Sequence, residues 1–257
     1  MQRMIPNFEA IELLPKKSNY CVFVFVINEG ERLHRQLEKM KTISADIDIV
    51  IADGGSIDNS VSPNVLTPYS VNSVLIKRDV GKLGSQMRMA FGWALNRGYK
   101  GVVVVDGNNK DSVEDIPRFI SKLEAGYDHI QGSRFIEGGS HENTPISRLL
   151  GLKLLHAPLI SMASGINQTD TTNGFRAYSS KLLADPEISL FREIFEGYEL
   201  HYYLAVRAAR IGLKCIEVPV RRVYPSKGKT PTKISPIRGN LQVISKLFKV
   251  CLGSYNP

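Results

Sequence analysis

Unbroken apolar runs that end in a polar or acidic residue recur along the first half of the chain. Tyr20 to Ile27 stops at Asn28-Glu29, Ile47 to Ala52, apolar after Asp48, stops at Asp53, and four consecutive valines, Val102 to Val105, run into Asp106. Runs with no polar alternation predict strands buried on both faces, as in a parallel sheet. Val74-Leu75-Ile76 predicts a further strand. Between these runs the apolar spacing turns helical: Leu33, Leu37 and Met40; Met87, Ala90, Phe91 and Ala94; Ile116, Phe119, Ile120 and Leu123. Ser112 followed by Asp115 predicts a capping box at the start of the last helix. Repeated β-α units predict an α/β fold with a doubly wound, mostly parallel, Rossmann-like sheet. Right-handed crossovers then gather the strand-end loops on one rim, where open α/β sheets hold their ligands.

After His129-Ile130-Gln131 the rhythm changes. Gly132-Ser133-Arg134 and Gly138-Gly139 predict a loop, and Ile146 to Met162 is apolar nearly all round, interrupted by Arg148, Lys153, His156 and Pro158. A short strand is expected over Thr172 to Tyr178, and a helix through Leu200, Tyr203, Leu204, Ala208 and Ile211. A strand with one wet face is expected through Ile216, Val218 and Val220. Asn240 to Leu252 predicts a short basic amphipathic helix. The expected organisation is an N-terminal extension (1–19), one α/β domain (20–230) and a basic C-terminal tail (231–257).

Composition narrows the partners. The 257 residues carry a formal net charge of +8, which favours anionic ligands. Between Arg221 and Lys249 there are basic residues but no Asp or Glu, so the positive charge is concentrated late in the chain. Three scattered cysteines without a Cys-x-x-Cys pattern predict a reducing compartment and no structural zinc. Met1 to Pro15, with two acidic residues and two prolines, does not read as a signal peptide. No uninterrupted apolar run reaches about 18 residues, which argues against an ordinary membrane span. A cytoplasmic location follows as the expectation.

Asp53 and Asp106 end two predicted strands and Glu29 follows a third. If those strands are neighbours, three carboxylates converge on one rim, where they repel one another unless a cation joins them. Hard oxygen ligands suit Mg²⁺ or Mn²⁺. A single strand-end Asp is more often a turn or a cap; three on one rim favour the cation. Gly54, Gly55 and Gly107 beside them would let backbone approach a ligand. The Gly81-Lys82-Leu83-Gly84-Ser85 stretch is not a P-loop, so Lys82 is either a phosphate contact at a helix entrance or a solvated lysine.

Taken in order, Asn28-Glu29, Asp53-Gly54-Gly55-Ser56-Ile57-Asp58, Asp106-Gly107-Asn108, Gly132-Ser133-Arg134, Asp170 with Gly174-Phe175-Arg176, and Glu217-Val218-Pro219 resemble the motif set of family 2 glycosyltransferases. The branch most resembled holds the dolichol- and polyprenyl-phosphate mannose synthases, and the match spans roughly residues 20–230. The resemblance implies a GT-A fold with a smaller acceptor-side extension, a nucleotide-sugar donor, a divalent metal and inversion at the anomeric carbon. The donor-binding set it implies is Asn28, Glu29, Asp53, Gly55, Lys82, Asp106, Gly107 and Asn108. Glu29 and Asp53 would hold the nucleoside, and Asp106 and Asn108 occupy the metal-binding Asp-x-Asp position. Asn108 departs from the second Asp of that motif, Gly54 from the second Asp of the Asp-Asp-Gly-Ser turn, and Ile27 from a Tyr.

A sugar leaves a diphosphate only if the developing negative charge is stabilised. A hydroxyl acceptor also needs a general base, for which Asp170 is the candidate. A phosphate acceptor is already an anion and needs cations, for which Arg134 and Arg176, with Arg148, offer directed donors. The apolar segment 146–162 and the basic tail fit a helix lying in a membrane interface, against the plainer reading of a core helix and a solvated tail. The expected acceptor is a lipid-linked phosphate, reached from the cytoplasmic face of a membrane, or else a saccharide hydroxyl. A sugar nucleotidyltransferase would want a glycine-rich basic loop near the N-terminus, which residues 1–19 lack. A degenerate nucleotide-sugar-binding protein is the remaining alternative. Nucleic acid is not an expected partner, for lack of a basic-aromatic recognition motif.

Overall fold

The computed structural model describes residues 3–43, 46–226 and 238–257, so residues 231–237 of the expected basic tail lie outside the described residues. Its centre is an eight-stranded sheet in the order β1-β4-β3-β2-β5-β8-β6-β9. The strands are β1 (Phe8–Glu12), β2 (Tyr20–Val26), β3 (Asp48–Asp53), β4 (Val71–Lys77), β5 (Gly101–Asp106), β6 (His129–Ser133), β8 (Arg176–Ser179) and β9 (Cys215–Pro219). A separate parallel ribbon joins β7 (Ser140–Glu142) to β10 (Arg221–Val223). The helices are α1 (Glu31–Met40), α2 (Pro63–Leu66), α3 (Leu83–Asn96), α4 (Ile116–Glu124), α5 (Ile146–Gly151), α6 (Ala157–Ser164), α7 (Ser180–Ala184), α8 (Glu199–Arg210) and α9 (Arg238–Cys251).

The apolar runs form the parallel centre. In β2, Cys21, Phe23 and Phe25 pack on the side of α3 and α8, and Val22, Val24 and Val26 on the side of α1 and α4. Both faces are therefore buried, which is why the run shows no alternation. The chain steps outward from β2 to β3 and β4, then returns through α3 to β5 on the other side of β2. The turning point between β2 and β5 leaves a crevice at their carboxyl ends, the place where such sheets take ligands.

Three features depart from the sequence expectation. The residues expected as an N-terminal extension supply β1, an antiparallel edge strand on β4. β8 runs antiparallel between β5 and β6, so the second half of the sheet is mixed. At Ser112 the hydroxyl bonds the Asp115 carboxylate, not a helix N–H, and accepts from the Arg221 amide, so the expected box tethers β10 to the loop after β5.

Among the described residues one helix, Ile146–Ser164, is long and apolar enough by length and composition to cross a membrane, although Arg148, Lys153 and His156 interrupt it. Within it, Leu152–His156 is a π turn in which the Ala157 amide bonds the Leu152 carbonyl. Pro158 lacks the donor that an α-helix would aim at residue 154, and its ring crowds that carbonyl, so local widening is the expected response.

Candidate active site

A cavity of about 860 Å³ opens at the β2/β5 turning point. Glu29, Gly54, Lys77 and Lys82 line it, together with Asp106, Asn108 and Lys110. Arg134, Arg148 and Arg222 line it too, and Leu149, Leu152 and Leu155 from the segment 146–164 and Val243 and Ile244 from α9 add apolar lining. Six Lys or Arg side chains face two carboxylates, so the lining favours anions.

Asp106 ends β5 in register with Phe25 of β2. Its side chain keeps 36% exposure. Gly174 makes room for it, since a Cβ there would stand 3.3 Å from Oδ1. The Asn108 amide donates to its Oδ2 at 3.2 Å, and Arg222 Nη2 donates to the same atom at 3.3 Å. Arg222 Nη1 also grips Asp111 at 2.7 and 2.6 Å. The Asp111 carboxyl is pushed up by burial, with Arg222 pulling the other way. Around Tyr224, burial would raise the phenol's pKa, yet Arg222, Arg134 and Arg148 bring it below its ordinary value. Positive potential therefore dominates this part of the cavity. Tyr198 is pushed up to about 12 by burial and by Asp106.

Glu29, Asp53 and Asp106 do end adjacent strands, but they do not converge. Asp53 is wholly buried, and its carboxylate accepts from the Ser56 amide at 3.0 Å and the Ser56 hydroxyl at 2.6 Å. It closes its own turn and stays out of the cavity lining. Among the described residues, no three His, Cys, Asp or Glu side chains come together to hold a metal ion. A divalent cation has two donors here: the Asp106 carboxylate, and the Asn108 side-chain oxygen, which is buried with no hydrogen-bond partner. That unpartnered hard oxygen beside a carboxylate fits Mg²⁺ or Mn²⁺ chemistry.

The other expected residues divide. Arg134 lines the cavity, held by Asp170 at 2.6 and 2.8 Å in a bidentate pair. Asp170 is fully buried in that pair, which removes it as a general base. Its amide is tied in turn to Glu217, whose pKa burial pushes up. Arg176 is buried beneath the floor, where it donates to the carbonyls of Thr171, Asn173 and His201, so it holds the loop and does not reach an acceptor. Asn28 also serves the Ser56 turn: its amide donates to Ser56 Oγ and its Oδ1 accepts from Ile57. Gly55 lies outside the lining while Gly54 is in it. Gly107 accommodates Val26, whose Cγ1 a Cβ would meet at 2.5 Å, so its role is strand packing. Lys82 lines the cavity, but the amides of Lys82, Gly84 and Ser85 all point to the Glu196 carbonyl, so the entrance of α3 offers no free N–H cradle.

Lys77, Lys110 and Arg222 are the basic lining residues that the sequence reading missed. The Ile216, Val218, Val220 alternation carries on to Arg222 and Tyr224, and both are buried. Extending the period by one step would have put Arg222 on the inner face.

The comparisons agree with this geometry. No family model matches the chain. An undecaprenyl-phosphate mannosyltransferase of Micrococcus luteus is 28% identical over 206 residues, 79% of this chain and 83% of that protein. A polyprenol monophosphomannose synthase of Mycolicibacterium smegmatis is 27% identical over 220 residues, 84% and 82% of the two chains. The crystal structure of glucosyl-3-phosphoglycerate synthase from Mycobacterium tuberculosis, with Mn²⁺, uridine diphosphate and glucosyl-3-phosphoglycerate, superposes with a TM-score of 0.62. It is 16% identical, covering 90% of this chain and 79% of that one. Fold, cavity and relatives define the chain as a GT-A glycosyltransferase. Within that class its sequence is similar to family 2 enzymes of the polyprenyl-phosphate mannose synthase type.

Proposed function

We propose that the chain moves a hexosyl group from a nucleoside-diphosphate sugar to a polyprenyl-type phosphate at a membrane surface, with inversion. The observation that carries this reading is the make-up of the cavity. Asp106, residues that follow β2 and β3, three arginines and apolar side chains from two helices all line the same space. A phosphate headgroup suits Arg134, Arg148 and Arg222, and an isoprenoid tail suits Leu152, Leu155, Val243 and Ile244. A phosphate oxygen attacks the anomeric carbon, the bond to the diphosphate breaks on the opposite face, and no proton has to be removed from the acceptor. A divalent ion held by Asp106 and Asn108 would neutralise charge on the leaving diphosphate.

A saccharide hydroxyl is the weaker reading, because it needs a base. Glu29 and Asp106 are the lining carboxylates, and Asp170 is engaged with Arg134.

Peripheral membrane contact is supported by exposed apolar side chains on helices that also line the cavity: Ile146, Leu150, Leu154 and Met162 on the segment 146–164, Leu241 and Phe248 on α9, and Leu252 just after it. Nearby cations favour an anionic, cytoplasmic leaflet. The test is transfer from radiolabelled GDP-mannose and UDP-glucose to polyprenyl phosphate in vesicles. Label in the lipid phase is expected. Label in water-soluble saccharide only would sink the proposal.

A further inference from the structure

Four charged side chains meet at the end of β5. Asp106 and Asp111 share Arg222, which bonds both carboxylates. Lys110 stands in the cavity wall, 7% exposed, within electrostatic reach of Asp106, Asp111 and Arg222. Its backbone is fixed, because the Lys110 carbonyl accepts from the Val223 amide at 2.8 Å. Its Nζ stands 5.3 Å from the centre of the Tyr224 ring. Two acids thus face two bases, and Asn108 adds a neutral oxygen. A divalent cation approaching this group finds one carboxylate already shared with a guanidinium and two fixed cations close by. Little net attraction is left for it.

A diphosphate meets the opposite situation. It finds an ammonium already in the wall, where the low dielectric strengthens its hold on an anion. We propose that the Lys110 ammonium is a direct ligand of the donor's diphosphate, and that it gives this site an affinity for nucleoside diphosphates that does not depend on a divalent ion. The proposal rests on the donor reading above and adds a residue and an order of events: the nucleotide binds first, and the metal joins a site that the diphosphate has made anionic.

The test is calorimetry with uridine and guanosine diphosphate, in chelator and in Mn²⁺, on the wild type and on Lys110→Gln and Lys110→Arg. For the nucleotide that binds, the wild-type affinity in chelator is expected within about tenfold of that in Mn²⁺. Lys110→Gln should lose about a hundredfold in chelator and less than tenfold in Mn²⁺. Lys110→Arg should keep metal-free binding, which a purely structural lysine would not predict. Loss of wild-type binding on chelation overturns the proposal while leaving the donor reading intact, as does equal weakening of Lys110→Gln in both conditions. Failure of both diphosphates to bind under either condition overturns the donor reading, and this proposal with it.

Discussion

Removing the Asp170 carboxylate distinguishes a residue that grips from a residue that reacts. The pair with Arg134 is bidentate, at 2.6 and 2.8 Å, and the two side chains are 0% and 4% exposed. Truncating one partner of such a pair strands a buried charge and costs about 3–5 kcal/mol. For a chain of this size each kcal/mol moves Tm by about 2–4 °C, so Asp170→Ala should melt about 10 °C lower. Replacing both partners, as in Arg134→Met with Asp170→Leu, removes the stranded charge and should recover most of that loss. Transfer should be lost in the double variant, because a guanidinium that lines the cavity has gone. Differential scanning calorimetry and the vesicle transfer assay read both quantities. A general base would behave in the opposite way, with Asp170→Ala fully stable and kcat abolished, and that result would refute the positioning role.

Three further outcomes follow from the site. Asp106→Asn should reduce transfer by about 10²–10³ while moving Tm by no more than about 2 °C, since its pairing with Arg222 is partly solvent-screened; an unimpaired variant would remove Asp106 from the centre. The Tyr224 phenol should titrate below the ordinary tyrosine value, read as the ultraviolet difference between wild type and Tyr224→Phe, and Arg148→Met should move it up. The folded state releases this proton before the unfolded state does, so Tyr224 adds stability as pH rises through the folded value; a step at or above the ordinary value contradicts the cationic potential. Leu154→Glu with Met162→Glu should weaken co-sedimentation with anionic vesicles by tenfold or more, because burial of such a side chain is worth about 1.5–3 kcal/mol. Unchanged sedimentation would leave the exposed stripe without a membrane role.

The parallel centre was legible because burial on both faces leaves an unmistakable mark, and Val102 to Val105 could hardly be anything else. Asp106 was legible for the same reason, since a strand of that kind must end on the ligand rim. The fate of individual side chains was not. Asp53 and Asp106 look alike in the sequence, but Ser56 three residues on captures the first and Gly174, far along the chain, opens space for the second. Arg134 and Arg176 were equally good candidates until the carbonyls of Thr171, Asn173 and His201 claimed one of them. Such choices depend on contacts between segments that local periodicity does not encode. Arg222 was within reach, since the alternation that marks β9 passes straight through Pro219 into β10.

The long apolar helix ties the proposed membrane contact to the site through a geometric detail. Its exposed positions Ile146, Leu150, Leu154, Pro158 and Met162 fall at every fourth residue, as do the buried positions Leu152, His156, Ile160 and Ser164. In an unbroken α-helix a four-residue step overshoots one turn by about 40°. Over four such steps, a stripe that starts toward solvent would wind toward the protein. The π turn at Leu152–His156 holds more than four residues per turn, so within it the same step undershoots and the drift is reversed. Pro158 imposes that turn by denying the α-helical bond. One face can therefore stay apolar and outward along the whole helix, while the other keeps Leu152 and His156 in the cavity wall. The proline that breaks the sequence pattern is, on this account, what keeps the two faces separate.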